Sequence, residues 1–347
     1  MLGPAAAPRT TAESPPIPPP LRIGALELSS RVLLAPMAGI TDRPFRHLCR
    51  EFGAGLAFSE MLSANPELRH TRTSAERLDH KNEPRPFAVQ IAGADPDALA
   101  DFARYAVDQG ADLIDINLGC PAKKVCRQAA GSALLRDEAL VARIMHRVVR
   151  AVSVPVSVKT RTGWSPKERN LEQIGRIAQD AGVAMLTVHG RTRACGYRGQ
   201  AEHDSLAALR EHIRIPLVAN GDIDTPEIAH KVLEQTGADA VMIGRGALGK
   251  PWIFDRIARF LATGEHVGPP EIAQRRDILI AHLEALHAFY GEARGPRVAR
   301  KHIIWHCQDL PRFDKARGAL LKAQSAAEQR RLLLSYFATL MTPETDA

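Results

Sequence analysis

From Val32 to Gly244 the chain repeats one pattern: a short apolar run, often β-branched, then a polar or glycine-bearing break, then a longer segment with apolar positions at helical spacing. The short runs are Val32–Ala35, Leu56–Ser59, Phe87–Ile91, Leu113–Asn117, Val156–Thr160, Leu186–His189, Leu217–Asn220 and Ala240–Gly244. Each is strand-length and bounded by residues that break regular structure, so eight strands are predicted. The intervening segments, among them Pro96–Gln109, Glu138–Val152, Leu171–Ala181 and Pro226–Thr236, are long enough to carry the chain back to the start of the next parallel strand. Strict alternation taken eight times predicts an α/β fold closed into a (β/α)8 TIM barrel. A doubly wound sheet is the rival, but no Gly-x-Gly-x-x-Gly follows the first strand.

After Gly249 the strand pattern stops, and Pro251–Thr263, Glu271–Tyr290, Pro296–Gln308 and Ala316–Leu340 all read as helices. The expected organisation is therefore a barrel over 21–254 followed by a C-terminal all-helical domain over 255–342. The first twenty residues contain seven prolines and no continuous apolar core. They read as a disordered Pro-rich tail, 1–20, and not as a secretory signal.

Composition narrows the class. With 45% hydrophobic and 24% charged residues the chain has an ordinary soluble composition, and no apolar stretch approaches the roughly 20 residues of a membrane-spanning helix. The five cysteines, Cys49, Cys120, Cys126, Cys195 and Cys307, are odd in number and scattered, which argues against a disulfide framework or a metal site. A monomer in a reducing cytoplasm is expected. Net charge is +7, and ten Lys/Arg against three Asp/Glu between Arg294 and Arg331 account for the whole excess. Such a surplus suits a polyanionic partner, although a solvated helical face has the same composition.

In a barrel of this kind the C-terminal strand ends converge on the active site, so the residues ending each run form one constellation. The first run ends in Ala35-Pro36-Met37-Ala38-Gly39, the third in Gln90, and the fourth in Asn117-Leu118-Gly119-Cys120-Pro121. Lys159 ends the fifth, His189-Gly190-Arg191-Thr192-Arg193 the sixth, Asn220-Gly221-Asp222 the seventh, and Gly244-Arg245-Gly246 the eighth. Gly-bearing turns after strands seven and eight expose backbone N–H groups and suit a phosphate-bearing cofactor. Gln90 and Lys159 suit a flavin, which needs a donor–acceptor group at its pyrimidine edge and a cation near N1/O2. A Schiff-base role for Lys159 stays open at this point. Cys120 lies in a tight Gly-Cys-Pro loop at a strand end, and a thiol of ordinary pKa near 8.5 is a suitable general acid at neutral pH. Cys126, six residues on, lies past the strand end, and Cys49, Cys195 and Cys307 read as small buried hydrophobes.

Read together, these segments resemble the tRNA-dihydrouridine synthase family, in particular its bacterial B-type branch, from Leu21 to Phe337. The residues that carry the resemblance are Ala35 to Arg46, Asp115 to Val125, Ser157 to Trp164, His189 to Arg193, Ala219 to Ile223 and Met242 to Ala247. The resemblance implies FMN held by Pro36, Met37, Ala38, Gln90, Lys159, His189, Asn220, Gly221, Asp222, Gly244 and Arg245, with NADPH as reductant. It implies hydride transfer from flavin N5 to C6 of a uracil in tRNA while Cys120 protonates C5. Asn117 is expected to contact the target base and Arg191 to lie near flavin phosphate and substrate. Arg297, Arg300 and Lys301 of the basic stretch are expected to meet the tRNA, and the B-type branch suggests its position 17. The tail before Leu21 is not part of the family pattern, and the segment Cys195-Gly196-Tyr197-Arg198-Gly199, expected in the loop after the sixth strand, is one that varies among relatives. A flavoenzyme of free pyrimidines and a non-catalytic nucleic-acid-binding regulator are the alternatives.

Overall fold

The computed structural model describes residues 20–342. Almost all of the Pro-rich tail therefore lies outside the described residues.

The described residues open with an antiparallel hairpin, β1 (Leu21–Ile23) and β2 (Leu26–Leu28), paired Leu21 to Leu28 and Ile23 to Leu26. Alternation sends Leu21, Ile23 and Leu28 to one face and the Arg22–Glu27 ion pair to the other. The apolar face is buried among inward-pointing barrel residues, including Leu33, Phe58, Met185 and Met242, so the hairpin plugs the N-terminal end. It was not among the expected strands, although its two-residue alternation is visible in Leu21-Arg22-Ile23.

Nine further strands follow: β3 (Val32–Leu34), β4 (Ala57–Phe58), β5 (Leu62–Ser63), β6 (Phe87–Ala92), β7 (Leu113–Leu118), β8 (Val156–Arg161), β9 (Met185–His189), β10 (Leu217–Asn220) and β11 (Ala240–Ile243). All pairings among them are parallel, β11 returns to β3, and β4 pairs with β6, which closes an eight-stranded barrel with β5 as a short extension beside β6. The eight expected strands are all present. The helices up to the barrel's end are α1 (Arg43–Glu51), α2 (Arg72–Leu78), α3 (Pro96–Asp108), α4 (Lys123–Arg127), α5 (Glu138–Val149), α6 (Leu171–Asp180), α7 (Asp204–His212), α8 (Pro226–Thr236) and α9 (Ile253–Thr263). Caps explain several starts: Asp42, Asp95, Asp137 and Thr225 each accept the backbone N–H three residues on.

Four more helices complete the described residues: α10 (Ile272–Tyr290), α11 (Gly295–Cys307), α12 (Phe313–Lys322) and α13 (Ala326–Met341). The single helix expected over Ala316–Leu340 is thus two. Ala323 is extended (φ −48°, ψ 133°), and Ser325 starts α13 by accepting from Glu328 N. The expected start of the helical domain, 255, falls inside α9, whose Ile253, Phe254 and Ile257 belong to the barrel's core. The helical unit has its own core beginning in α10, built on Leu279, Leu283, Ile303, Leu333 and Phe337.

The two units are locked at the barrel's C-terminal rim. Tyr290 donates to Asp42 Oδ2 at 3.0 Å, Arg294 forks onto both oxygens of Glu76, and the Lys301 ammonium donates to the Gly39 carbonyl. Gly249, after β11, lies where a Cβ would fall 2.0 Å from the Trp305 carbonyl oxygen, so only glycine permits this approach of α11.

Candidate active site

Parallel register sorts the polar residues of the barrel interior into rows. Gln90 pairs with Asp115 and Asp115 with Ser157; one step toward the C-terminal ends, Asn117 pairs with Lys159. Because side chains alternate along a strand, these residues share the inner face. The lower row is a closed relay: Ser157 donates to Asp115 at 2.6 Å, Gln90 Nε2 donates to the other Asp115 oxygen at 2.7 Å, and Asn117 Nδ2 donates to Gln90 Oε1 at 2.7 Å. Burial pushes the Asp115 carboxyl up to about 6 against these bonds and nearby Lys159. Asp115 and Ser157 were absent from the expected site residues, and their spacing two before Asn117 and Lys159 was the available signal.

Asn117 passes the relay on to the cysteine loop, since its Oδ1 accepts from Gly119 N at 3.1 Å and Cys120 N at 2.9 Å. Arg161, at the end of β8, donates from Nε to the Gly119 carbonyl at 2.7 Å and from Nη1 to the carbonyls of Thr192 and Gly196. Ser132 fixes the loop from the other side by donating to the Cys120 carbonyl at 2.7 Å. Cys120 is half-buried, and desolvation raises its pKa, so its sulfur stays protonated at neutral pH. Cys126 sits on α4, and its sulfur lies 3.7 Å from the Cys120 carbonyl oxygen. Cys49 and Cys307 are buried as expected, whereas Cys195 is only half-buried in the loop after β9, where it accepts from Thr192.

Across the mouth lies a cavity of about 680 Å³ whose walls include Pro36, Met37, Lys159, His189, Asn220 and Arg245. Gly221, Asp222 and Gly244 also line it. Lys159 reaches inward to donate to Asn220 Oδ1 at 2.9 Å, and Asn220 Nδ2 is anchored on the Met242 carbonyl. Burial first, then Arg161, lowers the Lys159 ammonium to about 8, with Asp115 opposing. Burial and four surrounding cations push His189 down to about 2, so it is neutral. Its Nε2 accepts from Arg191 at 3.3 Å, which leaves the ring proton on Nδ1. The two glycine turns are built for close approach. Gly221 has φ +127°, and a Cβ there would fall 2.7 Å from Ala201 Cβ; at Gly246 it would fall 2.7 Å from the Ile223 carbonyl oxygen. The Lys159 and Arg245 cations and the two glycine-bearing turns among these walls suit an anionic, phosphate-bearing cofactor.

Not every expected site residue lies at the cavity surface. Gln90 and Asn117 are buried beside it, and Ala38 is exposed on the β3 loop next to Met37. Arg191, expected near flavin phosphate and substrate, does line the cavity, but it is 3% exposed and all five of its N–H groups are spent within the protein. It forks onto Asp222 at 3.0 and 2.5 Å, and the other donors go to His189 and to the carbonyls of Arg198 and Gly199. Of the α11 cations, Arg297 is exposed, Arg300 is half-buried, and Lys301 is held by Gly39. Arg294 and Arg330 are paired with Glu76 and Glu284, so part of the basic surplus is internal. The helical unit does reach the site through Trp305 and Gln308, which complete the cavity wall.

Solved structures of low sequence identity share this architecture. An old yellow enzyme homologue from Zymomonas mobilis superposes with a TM-score of 0.53 at 17% identity, covering 75% of this chain and 96% of that one. Histamine dehydrogenase from Rhizobium sp. 4-9 gives 0.52 at 13% identity, over 76% of this chain and 50% of that one. At such identity the likeness concerns the fold. Curated relatives are far nearer in sequence. The tRNA-dihydrouridine synthase B of Xanthomonas axonopodis pv. citri is 55% identical over 321 residues, 92% of this chain and 97% of that protein. Its namesake in Escherichia coli K12 is 51% identical over 317 residues, 91% of this chain and 99% of that protein. Residues 33–341 match the family model described as Dihydrouridine synthase (Dus). With that match spanning both the barrel and the helical unit, the chain belongs to the dihydrouridine synthase family.

Proposed function

We propose that this protein reduces the C5=C6 bond of a uridine in tRNA to 5,6-dihydrouridine in the cytoplasm, with FMN as cofactor, NADPH as reductant and U17 as the target. The observation that carries the reading is the pairing of Asn117 with Lys159 on adjacent strands, which places a protonated Cys120 loop beside a cation-lined cavity. Pro36, Met37 and Ala38 would flank the cofactor ring, Gln90 and Lys159 its pyrimidine edge, and Gly221, Asp222, Gly244 and Arg245 the phosphate. When bound, FMN supplies the hydride, drawn from NADPH, that reaches C6.

The chain's own residues account for the rest. Lys159, charged below about pH 8, offsets negative charge gathering at the N1/O2 end. Cys120 donates the proton that C5 gains, and Arg161 nearby favours the thiolate left behind. Asn117 uses Oδ1 and one N–H on the loop and on Gln90, so a single amide N–H is left for the base. Arg191 lines the cavity and holds the phosphate turn through Asp222, a positioning role beside cofactor and substrate. A base inside folded tRNA has to be extruded to reach this depth, at a cost of a few kcal/mol offset by contacts elsewhere.

Purified protein is expected to be yellow, bleached by NADPH, and to form dihydrouridine in tRNA lacking it. Mapping dihydrouridine in tRNA from a strain without this protein identifies the position. Turnover of free uracil or orotate at rates matching tRNA would overturn the reading in favour of a free-pyrimidine enzyme.

A further inference from the structure

The loops after β7 and β9 carry an unbalanced charge. From Asn117 to Arg136 there are four cations, Lys123, Lys124, Arg127 and Arg136, and no Asp or Glu; from His189 to Ala201 there are three arginines and again no acid. Arg191 is neutralised by Asp222. Among the described residues, Lys123, Lys124, Arg127, Arg136 and Arg193 form no ion pair. Elsewhere on the surface arginines such as Arg72, Arg147, Arg176, Arg259 and Arg330 sit within 4 Å of a carboxylate. Nearby acids are occupied: Asp137 caps α5, and Glu168 accepts from Ser165.

Two of these unpaired cations share one aromatic ring. The guanidinium carbons of Arg193 and Arg136 lie 4.3 Å and 5.3 Å from the centroid of Trp164 in the loop after β8. That loop is knitted to its neighbour by Arg193 N to Gly163 O and Ala194 N to Trp164 O, both 2.9 Å. Stacking fixes the plane of a guanidinium while leaving its N–H edge free to fork onto an anion. Holding two like charges on one indole without a counterion is unfavourable in the free protein and is relieved by a polyanion.

Barrel topology gives the location. The helical unit is fastened to the rim at β3 and β11, and β7, β8 and β9 end on the opposite side of the mouth. We propose that Arg136 and Arg193 on Trp164, with Lys123, Lys124 and Arg127 on exposed α4, form a second phosphate-gripping surface for the substrate tRNA, across Cys120 from the helical unit. This rests on the tRNA reading above. The tRNA backbone is then held on both sides of the extruded base, which accounts for the placement of cations around the thiol.

The test measures tRNA KM for the flavin-loaded enzyme across a salt series. In R136Q/R193Q the slope of log KM against log salt should fall by roughly one to two, with KM raised about tenfold at low salt. The charge-conserving R136K/R193K should keep most of the wild-type slope, which a merely structural role of these arginines does not predict. K123Q/K124Q, on an exposed five-residue helix, gives the same readout should the first variant lose its fold or flavin. Unchanged KM and slope in both Gln variants would overturn the proposal while leaving tRNA turnover intact. Failure of the wild type to act on tRNA would instead overturn the functional reading beneath it.

Discussion

Arg161 Nε donates to the carbonyl oxygen of Gly119 at 2.7 Å, which ties the residue just before Cys120 to the neighbouring strand. The same guanidinium holds the loop after β9 through Thr192 and Gly196. Arg161→Met should therefore retain flavin yet reduce kcat by about 10²-fold, as expected when a reacting group is displaced by about 1 Å. Single-turnover oxidation of the reduced enzyme by tRNA checks this. A wild-type rate would show that Asn117 and Ser132 hold the loop without Arg161.

The Cys126 thiol donates weakly to the Cys120 carbonyl, but the two thiols differ in placement. Cys120→Ala should bind flavin and accept electrons from NADPH normally while forming little dihydrouridine, and Cys120→Ser should lose about 10²–10⁴-fold, the usual cost of a missing general acid. Cys126→Ala, losing only weak sulfur contacts of 3.7 Å to the Cys120 carbonyl and 3.8 Å to the Ser132 hydroxyl, should stay active. The reverse outcome would move the acid to α4.

Lys159 titrates near 8 in the fold against an ordinary 10.5, chiefly because burial penalises the ammonium. Flavin reduction by NADPH should slow as pH rises through about 8, and Lys159→Ala should be slow throughout and lack that step. Between about 8 and 10.5 the unfolded chain holds a proton that the native state has lost, so stability of the flavin-free protein should rise with pH there. A reduction rate that is flat across this range in the wild type would remove the charge from the argument.

His282, His302 and His306 are buried together where α10 and α11 meet the barrel, and all six ring nitrogens lack a hydrogen bond within the protein. Desolvation lowers His306 to about 3 and the other two well below the ordinary range. As pH falls below about 6.5 the unfolded chain gains protons that these rings refuse, so stability is lost on the acid side. Asp42 and Asp115, pushed up to about 6, oppose this by binding protons in the native state below that pH. The difference between wild type and His306→Leu isolates one histidine: its acid slope should be shallower by up to about 1.4 kcal/mol per pH unit in urea denaturation. Equal slopes would mean that His306 is charged in the fold.

The eight barrel strands, most helices and the strand-end constellation were legible in the sequence, because side-chain period and turn residues are local properties. The choice of Cys120 as the proposed acid likewise rests on a local feature, its position just past the end of β7. What only the tertiary structure decided depends on residues far apart in the chain. The sequence marks Arg191 as a cation near a site, but burial against Asp222, thirty-one residues on, turns all five of its donors inward. The basic surplus of 294–331 is visible as a count, yet Glu76 and the Gly39 carbonyl consume part of it. The Leu21–Leu28 hairpin is too short to stand out until the barrel end it plugs exists. Conversely, Trp164, Arg136 and Arg193 look unremarkable in sequence because three separate loops bring them to one ring. Local patterning determines which elements form; closure of the barrel determines which charges meet.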